Sequence, residues 1–265
     1  MSAAADARPL GSRGRALQAE PAPGSRSPLA RTALGLLMVL GVALFTSLGV
    51  WQLHRRVWKL DLIHRVDARV HATPVAAPGP SEWPRIDRAR DEYRRVEVTG
   101  RYLNGRETLV RAVTELGGGY WVVTPFATAR GFTVLVNRGF VPPSRRDAKT
   151  RAAGEIGGET TVIGLVRMTE PKGAFLHTND PAANRWYSRD VAAIAAARRL
   201  TNTAPYFIDA AAGPVPGGYP VGGLTVITFP NNHLVYALTW FGLALLLAGA
   251  LIYVGKDEWE LRRRL

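Results

Sequence analysis

The chain has 265 residues, no cysteine and 47% hydrophobic residues, and its 34 basic and 21 acidic side chains give a net charge of +13. This length and composition allow one ordinary domain together with membrane segments, and the lack of cysteine excludes a disulfide scaffold. No aromatic and basic recognition motif accompanies the positive charge, so we expect no nucleic-acid partner. The charge instead suits anionic lipid headgroups, carboxylate ligands or an acidic partner, or it reflects an Arg-rich composition.

The first predicted element is an N-terminal tail, residues 1–31, which is rich in Ala, Gly, Ser, Pro and Arg and has no apolar period. Such a composition is typical of disorder. The tail loosely resembles a mitochondrial presequence, but Asp6, Glu20 and the prolines favour a cytoplasmic tail of a bacterial protein.

Two uncharged, apolar runs predict membrane-spanning helices. They are TALGLLMVLGVALFTSLGVWQL, residues 32–53, and LVYALTWFGLALLLAGALIYV, residues 234–254. At about 1.5 Å per residue each run reaches about 30 Å, the thickness of the hydrocarbon core of a bilayer. The first run is too long for a cleaved signal peptide, and no small-x-small cleavage pattern follows it. We therefore predict two transmembrane helices in contact with the lipid bilayer.

The basic residues around the second run predict the orientation. Residues 200–233 contain no Lys or Arg, whereas Lys256 and three consecutive arginines lie in the tail, residues 255–265. Positive residues remain on the side of synthesis, so both termini are expected in the cytoplasm and residues 54–233 outside. The predicted location is a bacterial inner membrane with a periplasmic domain; the mitochondrial inner membrane is the alternative.

The region between the two runs predicts an α+β domain. A helix continues from the first run through residues 58–69, and a Pro-rich linker ends it. One further helix begins near Asp190, which is its expected N-cap. Turn signals at NGR, ELGGG and ARG predict hairpins between the first four of seven β-rich runs. These runs are residues 93–103, 107–113, 120–128, 132–141, 160–168, 205–210 and 223–228. We predict two transmembrane helices flanking an antiparallel sheet or partly closed barrel with one helix.

No pattern in the chain predicts catalysis. The five histidines are scattered without metal-ligand spacing, at His54, His64, His71, His177 and His233. The sequence contains no G-x-S-x-G elbow, P-loop or dinucleotide fingerprint. We therefore predict a protein that is not an enzyme.

Six motifs in series resemble the surfeit locus protein 1 family, whose members assist the assembly of cytochrome c oxidase. They are GVWQLHRRVWKLDLI, YRRVEVTGRY, GYWVVTPF, VLVNRGFVP, WYSRDV and NNHLVYALTWFGLA. The likeness covers roughly residues 32–255, with Phe140 where a tryptophan is common. The resemblance implies a role in supplying haem a to subunit I of the oxidase, with transient haem a binding. It also implies subunit I as a partner and haem a synthase as a second one.

Antiparallel crossings predict a polar layer at the outer ends of the two helices, and the resemblance makes this layer the expected haem site. Asn231 is expected to cap the second helix, whose positive dipole end favours a neutral imidazole at His233. A neutral imidazole is what haem iron takes as a ligand, so His233 is the predicted iron ligand. The residues expected in this layer are Trp51, Gln52, Arg55, Asn231, Asn232 and His233.

One face of the second helix predicts a surface for the haem macrocycle. His233, Tyr236, Ala237 and Trp240 share that face, so that a small residue is flanked by aromatic walls. The predicted cofactor-binding residues therefore include Tyr236 and Trp240, and the haem propionates are expected near Arg55 or Arg56.

Each of these features has a simpler interpretation. His233 can form an ordinary helix-end hydrogen bond, the tryptophans can belong to an interfacial belt, and Arg55 can bind lipid phosphate. Arg138 and Gly139 are expected to form a strand end and turn. Three functions remain: a haem-a-binding assembly factor, a cofactor-free chaperone that holds an oxidase intermediate, and a membrane-anchored receptor for another ligand.

Overall fold

The computed structural model describes residues 28–263 except 172, 174 and 175. Residues 1–27 of the predicted tail lie outside the described residues, and Pro28 already begins a helix. The chain forms two compact units. One contains the terminal segments up to Arg55 and from Asn232, and the other contains residues 56–231.

The terminal segments supply two candidate membrane helices. The described residues contain the helices α1 (Pro28–His71), α2 (Arg88–Asp91), α3 (Val191–Ala197) and α4 (His233–Arg263). Within them, α1 and α4 are long and apolar enough to cross a bilayer, and only 6% and 11% of their most apolar windows are buried. A core helix of a soluble domain would be mostly buried, so these helices present their apolar surface outward, as lipid-facing helices do. The predicted continuation of the first helix through residues 58–69 is confirmed, because α1 reaches His71.

Residues 56–231 contain seven described strands, five of which form a closed barrel. The strands are β1 (Val75–Ala76), β2 (Arg95–Tyr102), β3 (Thr108–Thr114), β4 (Gly117–Thr128), β5 (Thr133–Val141), β6 (Thr160–Met168) and β7 (Thr203–Ala210). The order around the barrel is β2-β6-β7-β5-β4, and pairing of β2 with β4 closes it. The predicted fold class is confirmed, with two refinements: the barrel is fully closed, and β5 pairs with β7 in parallel.

The barrel has an apolar interior and a second apolar cluster outside one wall. Interior residues such as Val134, Val136 and Phe126 alternate with outward-facing ones. On the outer face, Leu135 packs in a separate cluster together with Ile194 of α3. Strand β5 is therefore buried on both sides, which explains its consecutive apolar residues Val134, Leu135 and Val136. The Asp190 carboxylate accepts a hydrogen bond from the Ala193 amide at 3.1 Å, as expected of an N-cap.

Three local predictions differ from the structure. The NGR turn does not form a hairpin, because β2 pairs with the end of β4 near Phe126 while β3 pairs with its beginning. Residues 223–228 form no strand. They join no strand; the Gly223 amide donates a hydrogen bond to the Ala210 carbonyl at 3.0 Å, and the preceding segment pairs with β5 through the bridge between Phe140 and Val221. Arg138 and Gly139 lie within β5, which continues to Val141, and do not form a strand end and turn.

Candidate functional site

Helices α1 and α4 pack against each other in antiparallel register through small residues. The rings of Phe45 and Trp240 stack with their centroids 5.7 Å apart. A Cβ atom added at Gly49 would lie 2.5 Å from the Phe241 ring, so that glycine allows the close approach. Small residues at such contacts are typical of helix packing in membranes.

The histidine predicted to bind iron meets a glutamine of the other helix in this pair. His233 Nδ1 and Gln52 Oε1 are 2.8 Å apart. The amide oxygen only accepts hydrogen bonds, so Nδ1 is the donor in this contact, and in a neutral imidazole the lone pair then belongs to Nε2. Gln52 is buried, with 9% of its surface exposed, which fixes its side chain. Metal-binding histidines are commonly oriented in this way by an acceptor on the other ring nitrogen.

The other predicted site residues do not converge as closely. Trp51 precedes Gln52 and projects about 100° away around the helix, so that 55% of its surface is exposed. Tyr236 is also 55% exposed. Trp240 contacts Phe45. Arg55 is exposed. The Asn232 carbonyl accepts a hydrogen bond from the Tyr236 amide at 3.2 Å. The structure thus brings Gln52 and His233 into contact, whereas Trp51 and Tyr236 are exposed and Trp240 packs on Phe45.

One detail of the predicted site is wrong. Asn231 Oδ1 is buried and accepts no hydrogen bond from any described residue, so its side chain does not cap α4. Ala237 is fully buried, so the small residue of the predicted face fills a packed position.

The donor set near His233 fits haem better than a bare metal ion. No group of three or more His, Cys, Asp or Glu side chains that could hold a metal forms within the described part of the chain. A single imidazole with an available Nε2 can serve as one axial ligand of haem iron, whereas a structural metal site needs several protein ligands.

The barrel contains a buried charge network that the sequence did not indicate. Asp209 on β7 accepts hydrogen bonds from Arg167 Nη1 at 3.1 Å, Arg189 Nη1 at 3.1 Å and Asn137 Nδ2 at 2.8 Å. Thr225 Oγ1 donates to the same carboxylate at 3.0 Å. Segment 223–228, where a strand was expected, is thus attached to the barrel by the Thr225 side chain and by the hydrogen bond from the Gly223 amide to the Ala210 carbonyl.

The opposite charges in this network stabilise each other's ionised forms. Burial alone would lower the pKa of Arg189, but Asp209 and Glu170 outweigh burial and raise it. Burial would likewise raise the pKa of Glu170, yet the hydrogen bonds and charge of Arg189 lower it. The network borders a cavity of about 140 Å³. Charged residues inside apolar strand patterns, such as Arg167 and Asp209, were the signal that could have revealed it.

Fold and helix pair together define a class: a membrane protein in which two candidate membrane helices flank an extramembrane barrel. The sequence matches the SURF1 family over residues 39–245, and the chain belongs to that family. It is 42% identical to surfeit locus protein 1 of Homo sapiens over 228 residues, which cover 79% of this chain and 73% of the human protein. It is also 40% identical to surfeit locus protein 1 of Xenopus tropicalis over 227 residues, 78% of this chain and 71% of the relative. A SURF1-like protein of Monosiga brevicollis is 40% identical over 212 residues, 75% and 78% of the two chains.

Proposed function

We propose that this chain is an assembly factor for cytochrome c oxidase that binds haem a transiently and supports its insertion into subunit I. Membership of the SURF1 family supports the role of an oxidase assembly factor. The hydrogen bond between Gln52 and His233 carries the haem part of the proposal, because an imidazole that donates from Nδ1 has Nε2 for binding iron.

Each residue of the proposed haem site has a defined task. Haem a would bring an iron centre that takes a neutral imidazole as an axial ligand. His233 supplies that nitrogen, and Gln52 holds the ring by accepting its Nδ1 hydrogen. Trp51 and Tyr236 offer exposed aromatic surface beside the apolar helices. Arg55 provides positive charge for propionates.

Subunit I is the proposed partner, and haem a synthase is a second one that would deliver the cofactor. We place the protein in a bacterial inner membrane with both termini in the cytoplasm, on the basis of the basic residues that follow the second helix. The mitochondrial inner membrane is the alternative. The proposed role is binding and delivery without catalysis.

A cofactor-free chaperone is the competing function, and one observation favours it. Ala237 is fully buried, so this position of the predicted haem-binding face is taken up by packing within the protein. A chaperone of this kind would hold an oxidase intermediate through its exposed helix surface and its barrel alone.

An absorption spectrum of the detergent-purified protein from cells that make haem a separates the two functions. We expect haem a absorbance and co-purification with subunit I. A colourless protein that still co-purifies with subunit I would identify the chaperone. A colourless protein whose deletion leaves oxidase activity intact would indicate a receptor for another ligand.

A further inference from the structure

A buried arginine in the barrel forms no ion pair with any residue that the structure describes. Arg138 on β5 is 5% exposed, and its guanidinium carbon lies 4.7 Å from the centroid of the Tyr102 ring. Its Nη2 donates a hydrogen bond to the carbonyl oxygen of Gly154. A guanidinium has five N–H donors, so most of its hydrogen-bonding capacity remains.

The nearest carboxylates do not neutralise Arg138. Glu107 forms a two-fold hydrogen-bonded pair with Arg151, whose side chain is 1% exposed. Glu155 is exposed to solvent. Among the residues that the structure describes, none forms an ion pair with Arg138, and burial lowers its pKa although Tyr102, Glu107 and Glu155 oppose this. An almost buried charge without a counter-ion is costly unless something else supplies one.

Arg138 lies at a cavity of about 250 Å³ that also has Tyr102 in its wall. Burial raises the pKa of Tyr102 to about 12 despite the nearby Arg138, so its hydroxyl stays protonated and can donate a hydrogen bond. The remaining wall combines apolar residues such as Val162 and Pro220 with Thr160 and Thr161. The cavity thus combines one cation, the Tyr102 hydroxyl and a wall that is partly apolar.

We propose that this cavity binds a carboxylate group attached to a short aliphatic body. The guanidinium fits a carboxylate with two parallel hydrogen bonds, and the Tyr102 hydroxyl can donate a third. A phosphate dianion fits less well, because a single arginine leaves part of its charge unpaired. The carboxylate can belong to a free organic acid or to the C-terminus of another polypeptide. This inference is independent of haem binding.

Isothermal titration of the full chain in detergent tests the site. Butyrate and hexanoate are the probes, with butyramide and inorganic phosphate as comparisons. We expect one butyrate per chain, with butyramide and phosphate much weaker. Arg138→Gln should weaken butyrate binding by about tenfold or more, since a hydrogen bond to a charged group is lost. Arg101→Gln, an exposed arginine beside Tyr102, is the matched control and should bind normally.

A second variant keeps the test decisive where Arg138→Gln fails to fold. Tyr102→Phe keeps the ring that stacks on Arg138 and removes only the hydroxyl, so it should bind butyrate several-fold more weakly. A short peptide with a free C-terminal carboxylate and the same peptide as its amide distinguish the sources. Binding of butyrate would show that the site takes free organic acids. Binding of the peptide acid alone would show that the site takes the C-terminus of another polypeptide. No binding of any carboxylate, or equal binding to wild type, Tyr102→Phe and Arg138→Gln, would overturn the proposal.

Discussion

Asp209 and Arg189 form an ion pair inside the barrel domain, with Oδ1 and Nη1 3.1 Å apart and the Asp209 side chain 4% exposed. The same carboxylate also pairs with Arg167. Asp209→Ala leaves two guanidiniums without this partner, and we expect a loss of about 3–5 kcal/mol in the free energy of unfolding. Denaturant unfolding of the full chain in detergent, followed by tryptophan fluorescence, measures it.

Asp180→Ala is the matched control for Asp209→Ala. Asp180 pairs with Arg185 where both side chains reach solvent, with 36% and 66% exposed. Exposed ion pairs contribute little to stability, so this variant should unfold close to wild type. Equal destabilisation by the two variants would show that the buried network is not the origin of the effect.

The packing of the helix pair predicts a contrast between two glycines of α1. A Cβ atom at Gly49 would meet the Phe241 ring at 2.5 Å, whereas one at Gly35 would meet nothing within 4 Å. Both changes to valine alter helix propensity alike, so their difference reports packing. We expect Gly49→Val to cost about 1–3 kcal/mol more than Gly35→Val. Unfolding in mixed micelles, followed by circular dichroism, provides the comparison, and indistinguishable variants would argue against the contact.

The charge distribution predicts the membrane orientation. A reporter that is active only in the periplasm should be active when fused after residue 150 and silent when fused after Leu265, because the basic residues that follow the apolar run 234–254 remain in the cytoplasm. The opposite activities would reverse the orientation and place the helix ends that carry His233 on the cytoplasmic side.

The fold was predictable from sequence where the pattern had one physical cause. Uncharged runs of sufficient length predicted the helices, and alternating residues predicted six of the strands. Residues 223–228 look like a strand by composition, but they join no strand and are attached to the barrel through Gly223 and Thr225. Whether such a run joins a sheet depends on long-range pairing, which local sequence does not encode.

The candidate site was predictable at the level of residues but not of geometry. Antiparallel helices placed Gln52 and His233 at one level, and the structure joins them by a hydrogen bond. The burial of Ala237 depends on how two helices rotate against each other, and spacing along one helix does not determine it. The partners of Asp209 come from four separate segments, so no local motif could reveal them.

The Gln52 hydrogen bond predicts a role in positioning the histidine. Gln52→Leu removes the acceptor for Nδ1 and should weaken haem a affinity by about 10- to 100-fold, as loss of such an orienting partner typically does. Gln52→Glu keeps an oxygen acceptor and should retain most of the affinity. Titration of the purified protein with haem a, followed by absorbance, measures both. Unchanged affinity in Gln52→Leu would show that the imidazole is not oriented by this contact.

The most direct measurement is the haem a affinity and absorption spectrum of His233→Ala beside those of His54→Ala. His54 is an exposed histidine of α1, two residues after Gln52, and serves as the matched control. If His233 Nε2 ligates the iron, His233→Ala should lose or strongly weaken haem a binding while the protein stays inserted and abundant, and His54→Ala should match wild type. Haem a binding to His233→Ala with unchanged affinity and spectrum would contradict the assignment.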